Sequence, residues 1–178
     1  MFKRYSIVLL LFVIISCKSK EEKTFFDFDN VEYYSLNKSK EEEISRNSNI
    51  GVRDSIFESV FYKDYPDTLN SSVFLKMVNS DGFSRFELSE KDVEYLRNDV
   101  FIEKISLKMF ELNKACAPEY RDILVFKKNS KISGIAKICL WCGHFYFISS
   151  KKNIQTEEFG TEKDYEALKK IFNTYKKK

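Results

Sequence analysis

The chain has 178 residues, of which 43% are hydrophobic and 32% are charged, so it carries enough apolar material for one globular core and is not a fully disordered protein. The 30 basic residues nearly balance the 27 acidic ones, and the resulting net charge of +3 predicts no nucleic-acid partner. With a single histidine, the chain cannot form most of the catalytic or metal sites that depend on histidine. Its 5 glycines leave little room for glycine-rich phosphate-binding loops.

Residues 1–16 have the pattern of a secretory signal peptide. Lys3 and Arg4 form a basic start, and the consecutive apolar residues 7–15 follow them. A membrane-spanning helix needs about 20 apolar residues, so this run is too short to be a span. We therefore expect residues 1–16 to be removed and not to belong to the folded domain.

The end of the apolar run, Ile14-Ile15-Ser16-Cys17, resembles the lipobox of bacterial lipoproteins. The resemblance implies that the Cys17 thiol is diacylglycerylated, that the signal is cut just before it, and that the new amino terminus is acylated. Two or more acyl chains hold a protein stably on a membrane. Cys17 is thus the expected lipid-attachment site, and membrane lipid is an expected partner.

Residues 17–24 follow as a charged stretch without apolar periodicity, which predicts a flexible tether. The Lys20-Glu21-Glu22 run within it resembles the export signal that Bacteroidota use to place lipoproteins on the outer face of the outer membrane. We therefore expect a cell-envelope protein anchored to the outer membrane and facing either the periplasm or the cell surface.

The next part of the chain predicts strands with polar connections. Apolar residues alternate loosely with acidic ones over 25–36, which favours one or two strands with one buried face. The polar stretch 38–49 is expected to be a loop, whereas 54–62 fits either a helix or a strand. Residues 73–78 and 83–88 flank a turn-forming Asn-Ser-Asp-Gly cluster and predict a hairpin.

Two helices are predicted where a capping residue precedes apolar residues at helical spacing. Ser89 begins one of them, with Asp92 in the capping-box position, and Thr161 begins the other near the carboxyl terminus. The apolar positions are Val93, Leu96, Val100 and Phe101 in the first helix, and Tyr165, Leu168, Ile171, Phe172 and Tyr175 in the second. The polar residues between the latter indicate a surface helix packed on a sheet.

A second hairpin is predicted from two strand-like runs, 121–128 and 132–140, around the turn residues Asn129-Ser130. If Lys128 faces Lys131 across this turn, the register of the pair is fixed. On that register Cys139 faces Tyr120, and Cys116 faces Gly143 if the pairing extends so far. Four reactive side chains would then gather at the open end of the hairpin: Cys116, Cys139, Cys142 and His144.

A regular strand would place Cys139 and Cys142 on opposite faces because they are three positions apart. A bend or bulge near Gly143 would bring the two thiols together, and glycine suits such a position. The sequence therefore predicts an irregularity directly after the second strand of the hairpin.

This region resembles a three-cysteine module of small predicted lipoproteins of Bacteroidota that have no assigned activity. The resemblance is carried by Cys116-Ala117-Pro118, a strand, a short turn, and a second strand that ends in Ile138-Cys139-x-x-Cys142. It implies the envelope compartment and the hairpin. It implies no reaction.

Three hypotheses for the cluster stay open. An exported protein meets an oxidising compartment, which favours a disulfide between Cys116 and either Cys139 or Cys142 and leaves one thiol unpaired. A zinc site would use Cys116, Cys139, Cys142 and His144 as a Cys3His ligand set. Thiol redox chemistry would use the Cys139-Leu140-Trp141-Cys142 motif.

Taken together, the sequence predicts a single α+β domain over residues 25–178, with an antiparallel sheet and a carboxyl-terminal surface helix. We expect a binding or structural role rather than catalysis, and we identify no catalytic residues. The expected partners are membrane lipid at Cys17 and a protein, peptide or glycan. Zinc is the one cofactor for which the chain offers candidate ligands.

Overall fold

The computed structural model describes residues 24–46, 55–103, 116–156 and 159–177. The predicted signal peptide, Cys17 and the tether up to residue 23 lie outside these ranges. In chain order the elements are β1 (Asn30–Leu36), α1 (Lys38–Arg46), α2 (Ser55–Tyr62), α3 (Ser72–Val78), β2 (Phe83–Glu87), α4 (Glu90–Tyr95) with a π-helical turn (Leu96–Val100) directly after it, β3 (Asp122–Lys128), β4 (Lys131–Cys139), β5 (His144–Ser149) and α5 (Glu162–Lys176). Within the described ranges, no helix has the length and apolar character needed to cross a membrane.

The five strands form one antiparallel sheet in the order β2, β1, β3, β4, β5. Helices cover both faces of this sheet, and α5 closes the chain, so the predicted α+β class with a carboxyl-terminal helix is confirmed. The β3–β4 hairpin is also confirmed. Its turn residues Asn129 and Ser130 have φ values of 48° and 63°, as a tight hairpin turn requires.

The register of this hairpin agrees with the prediction at the turn and departs from it farther along. Lys128 faces Lys131 as expected, but an irregularity after Phe126 shifts the pairing by one residue. Asp122 consequently faces Ile138, where the ladder ends. A bulge of this kind adds one residue to one strand, and a constant register cannot anticipate it.

One face of the sheet packs against α4, α5 and the buried segment that precedes β1. Its interior consists mainly of aromatic rings that touch one another. Phe26 stacks on Phe126 with ring centroids 4.2 Å apart, and Tyr33 stacks on Phe172 of α5 at 4.5 Å. Gly134 of β4 lies directly against the ring of Phe26, and a Cβ at this position would overlap it. This layer is called the aromatic face below.

The other face packs against α2 and α3. The helices contribute Phe57, Val60, Phe61, Phe74 and Val78, which are all buried. The sheet contributes apolar residues such as Ile123 and Ile135, and it also buries Lys137, whose exposed fraction is 0%. Because a buried lysine is rare, we call this layer the lysine face.

Two sequence predictions for residues 38–62 are corrected or settled by the structure. The polar stretch 38–46 forms α1 and not a loop, because lysine and glutamate favour helices, and Lys40 pairs with Glu43 at 2.9 Å one turn apart. The remaining residues of that predicted loop, 47–49, lie outside the described ranges. The ambiguous stretch 55–62 is the helix α2.

The predicted hairpin between residues 73–78 and 83–88 is wrong in its first strand. Residues 72–78 form α3, whose amino terminus is capped by the Ser71 hydroxyl accepting from the Phe74 N–H. Short continuous apolar runs do not distinguish a helix from a strand, and here the preceding serine was the deciding signal. The second run does form a strand, β2.

The strand predicted within 25–36 begins at Asn30 and is buried on both faces, not on one, because β1 lies between β2 and β3 with helices on either side. Phe25, Phe26 and Phe28 precede the strand and are buried in the aromatic face. Alternation was weak in this stretch, as expected for a central strand that has no solvent-facing side.

Both predicted helix caps are confirmed. The Ser89 hydroxyl accepts from the Asp92 N–H at the start of α4, and Thr161 and Asp164 form a reciprocal capping box at the start of α5. The Ser89 N–H donates to the Tyr175 hydroxyl at 2.8 Å, which joins the beginning of α4 to the end of α5. The apolar positions predicted for the two helices line the aromatic face.

Candidate functional site

The turn 140–143 joins β4 to β5 and determines where the cysteines lie. Gly143 has a φ of 64°, and its N–H donates to the Cys139 carbonyl at 2.9 Å, which closes the turn. The Tyr165 hydroxyl of α5 donates to the Gly143 carbonyl and holds the turn against the helix. The predicted irregularity near Gly143 is therefore confirmed.

The turn brings Cys139 and Cys142 into direct contact, with their Sγ atoms 2.9 Å apart. Cys139 is 2% exposed, whereas Cys142 is half-buried on the turn itself. A disulfide bond would require about 2.0 Å between the sulfurs. The three described cysteines are present as thiols, so the disulfide hypothesis for Cys116 stays a prediction.

A second grouping joins Cys142 to residues from two other segments. The ligand atoms of Cys116, Cys142 and His144 all lie within 4.8 Å of one another, and the three residues are half-buried. His144 is the first residue of β5 and pairs with Cys139, while Cys116 belongs to the segment that leads into β3. These three residues, the Cys2His trio, can hold a metal ion.

The four predicted site residues thus converge, but not through the pairing expected from the sequence. The β3–β4 ladder ends before it reaches Tyr120, so Cys139 does not face that residue, and its strand partner is His144. Cys116 does not pair with Gly143 as a strand residue. The physical reason is the bulge in β3–β4 together with the tight turn after Cys139, which ends the strand.

Burial raises the pKa of the Cys139 thiol, and its hydrogen bond with Cys142 raises that pKa further. Burial also raises the pKa of the nearby Tyr165 hydroxyl. The surroundings of Cys139 and Tyr165 therefore favour the neutral forms of these two groups. A thiol that coordinates a metal cation, in contrast, loses its proton.

A buried lysine lies two residues before Cys139 on the lysine face. The Lys137 Nζ donates to the carbonyls of Lys63 and Tyr65 at 2.5 Å and 2.9 Å, in the loop between α2 and α3. It also lies 4.3 Å from the centroid of the Tyr120 ring, which provides a cation–π contact. Lys137 therefore joins β4 to this loop from inside the protein.

Charged and phenolic groups surround this lysine. Burial lowers the pKa of Lys137 to about 7, although the nearby Asp64 carboxylate raises it. The Tyr120 hydroxyl donates to Asp64 Oδ1 at 2.8 Å, and burial followed by this hydrogen bond raises the pKa of Tyr120. Tyr146 donates to the Pro66 carbonyl at 3.0 Å. The network links the loop to β5 and to the segment that carries Cys116.

Sequence reasoning missed Lys137. The signal was present, because Ile135, Lys137 and Cys139 alternate along one strand and therefore share a face. Ile135 is an obvious core residue. Because side chains in a strand alternate between the two faces, Lys137, two positions later, points into the same part of the core. The composition of the stretch alone gave no reason to expect a buried charge there.

No protein-family model, curated protein or solved structure matches this chain. The chemistry available at the site therefore follows from its own side chains. Two thiols and one imidazole suit a borderline or soft metal ion. The contact between Cys139 and Cys142 additionally suits thiol–disulfide chemistry.

Proposed function

We propose that the protein is a lipid-anchored component of the bacterial cell envelope that binds a zinc ion through the Cys2His trio. The observation that carries the zinc site is the convergence of the Cys116, Cys142 and His144 ligand atoms within 4.8 Å of one another. Tetrahedral zinc with thiolate and imidazole ligands requires separations of about 3.5 to 3.8 Å between those atoms. Small side-chain adjustments are sufficient to reach this geometry.

The trio provides three protein ligands, and we assign the fourth position to a water molecule. Cys139 lies beside Cys142, 2.9 Å away between sulfurs, and does not belong to the trio. This differs from the predicted Cys3His set in one ligand. All three residues of the trio are half-buried.

The lipobox Ile14-Ile15-Ser16-Cys17 and the charged tether support the anchored location. In this proposal the acyl chains on Cys17 hold the domain at the outer membrane, and the zinc ion stabilises the end of the sheet where three chain segments meet. The zinc site itself has a binding or structural role in this proposal. The apolar anchor and the metal site are independent features, and each needs its own test.

Zinc titration of the reduced full chain in detergent tests the metal site. We expect one zinc ion per chain, and we expect His144→Gln to weaken binding by at least about 100-fold, since even indirect partners of metal ligands contribute 10- to 100-fold. Tyr146→Phe is the matched control, because it alters the same strand without removing a ligand atom. Equal weakening by both variants, or no bound zinc in the parent chain, would contradict the proposal.

Labelling of cells with a fatty-acid probe tests the anchor. The parent chain should incorporate the probe and sediment with membranes, and Cys17→Ala should do neither. The parallel variant Cys116→Ala controls for removal of a cysteine as such and should remain labelled. Equal labelling of the parent chain and Cys17→Ala would refute acylation at Cys17.

A further inference from the structure

We propose that Cys139 and Cys142 act together as a thiol–disulfide exchange site for disulfide substrates, and that their oxidation releases the zinc ion held by the trio. The exchange activity depends only on these two cysteines. The release of metal rests in addition on the proposed zinc site, because Cys142 belongs to both groups.

The geometry of the turn supports the pairing. The two Sγ atoms are 2.9 Å apart, and a movement of about 1 Å brings them to the bonded distance. The hydrogen bond from the Gly143 N–H to the Cys139 carbonyl keeps the turn closed, so the thiols start from a close and defined position. For the Cys116 and Cys142 sulfurs the structure gives only the looser limit of 4.8 Å.

The two thiols differ in access, which assigns them different roles. Cys142 is half-buried and follows Trp141, a residue that is 90% exposed, so Cys142 is the more accessible of the two cysteines to a substrate. Cys139 is 2% exposed and reaches little except its neighbour. We therefore assign the first attack to Cys142 and the second to Cys139.

The exchange proceeds in two balanced steps. The Cys142 thiolate attacks one sulfur of the substrate disulfide, forms a mixed disulfide and displaces the first substrate thiolate. Cys139 then attacks the Cys142 sulfur, forms the Cys139–Cys142 disulfide and displaces the second substrate thiolate. The dithiol loses two electrons, the substrate gains them, and the two thiol protons end on the two released substrate thiols.

Oxidation and metal binding compete for the same sulfur. Zinc requires Cys142 as a thiolate, and a sulfur in a disulfide no longer provides that ligand. Formation of the Cys139–Cys142 disulfide leaves the trio with Cys116 and His144, which are too few ligands to retain the ion. Disulfide formation and zinc release should therefore occur in equal amounts.

The test uses the reduced, zinc-loaded full chain in detergent with oxidised glutathione as the substrate. Peptide mapping after alkylation identifies the disulfides, and a chromophoric chelator measures released zinc. We expect the Cys139–Cys142 disulfide to form and one zinc ion to be released with each. Cys139→Ser should bind zinc but stop at the mixed disulfide with glutathione on Cys142, and Cys139→Ala repeats this test with a second side chain in the buried position.

Cys116→Ser separates the two proposals. It should lose zinc and still form the Cys139–Cys142 disulfide, because the contact between these two sulfurs does not involve Cys116. A zinc-loaded chain that forms a disulfide from Cys116, or keeps both thiols, would overturn the exchange proposal and leave the zinc site intact. A chain that forms the expected disulfide without ever binding zinc would instead refute the zinc site.

Discussion

The two faces of the sheet bury different kinds of side chain. On the aromatic face, the rings of Phe26, Phe126 and Phe101 pack against one another, with centroid distances between 4.2 Å and 5.4 Å. On the lysine face, the ammonium group of Lys137 lies among two backbone carbonyls and the ring of Tyr120. The same strands contribute to both layers, so the difference arises from which residues alternate to each side.

The aromatic face therefore contributes mainly to stability, whereas the lysine face carries polar groups that can take part in chemistry. Apolar ring packing does not respond to pH, and the packed rings of Phe26, Phe101 and Phe126 carry no titrating group. The lysine face contains buried polar groups that need partners, and it leads directly into the cysteine cluster at the end of β4. We expect substitutions on the aromatic face to change stability at every pH and those at Lys137 to change its pH dependence.

The largest expected effect is the loss of a ring from the aromatic face. Phe126→Ala should lower the free energy of unfolding by about 3 to 5 kcal/mol, because it removes the stacking partner of Phe26 and leaves a cavity. Urea unfolding at two pH values should give the same loss. The control Val73→Ala, at a residue that is 45% exposed, should change stability by less than about 0.5 kcal/mol. A small effect of Phe126→Ala would show that the rings do not determine stability.

The next effect comes from adding a single methyl group to the same layer. Gly134→Ala places a Cβ 2.3 Å from Cδ1 of the Phe26 ring, and we expect a loss of about 2 to 3 kcal/mol from overpacking. Gly82→Ala is the matched control, because the nearest atoms to its added Cβ are 3.8 Å away. Equal losses from both variants would indicate a general cost of replacing glycine and not a packing limit at Phe26.

Some features of the fold could be predicted from the sequence, and others could not. The β3–β4 hairpin, the caps of α4 and α5, and the bend at Gly143 were all predictable, because each depends on residues close together in the chain. The shift of register after Phe126 was not predictable from local patterns. It required knowledge of how the strands twist and pack in three dimensions.

The candidate site was also predictable only in part. The sequence identified Cys116, Cys139, Cys142 and His144 as a cluster at one end of the hairpin, and the structure brings them together. Their division into a contact pair and a trio follows from side-chain directions at the turn, which spacing does not specify. The partners of Lys137 come from a loop more than 70 residues earlier, so their contribution depended on tertiary structure.

The pH dependence of stability tests the lysine face. The pKa of Lys137 is about 7 in the folded chain and near 10.5 when the residue is exposed, so between these values the unfolded state binds more protons. The free energy of unfolding should therefore rise with pH across this window, by about 2 kcal/mol between pH 7 and pH 9. In Lys137→Met this increase should disappear, as measured by urea unfolding at each pH.

The comparison of Lys137→Met with the parent chain cancels the contributions of other titrating groups. Lys131→Met is the matched control, because Lys131 is exposed on the same strand and its replacement should leave the pH dependence unchanged. A parent chain whose stability does not increase toward pH 9 relative to Lys137→Met would refute the lowered pKa. It would also remove the contrast between the two faces.

The smallest effect concerns the helix that covers the aromatic face. Thr161→Ala removes the acceptor for the Asp164 N–H and breaks the capping box of α5, which should cost about 1 kcal/mol. Thr161→Ser keeps the hydroxyl and should retain most of that stability, and neither loss should depend on pH between 7 and 9. Because Phe172 of α5 stacks on Tyr33, weakening the cap should lower the cooperative unfolding midpoint of the whole domain and not only fray the helix. If circular dichroism shows early loss of helix with an unchanged main transition, α5 is a peripheral cover, and the aromatic face derives its stability from the sheet and the segment before β1.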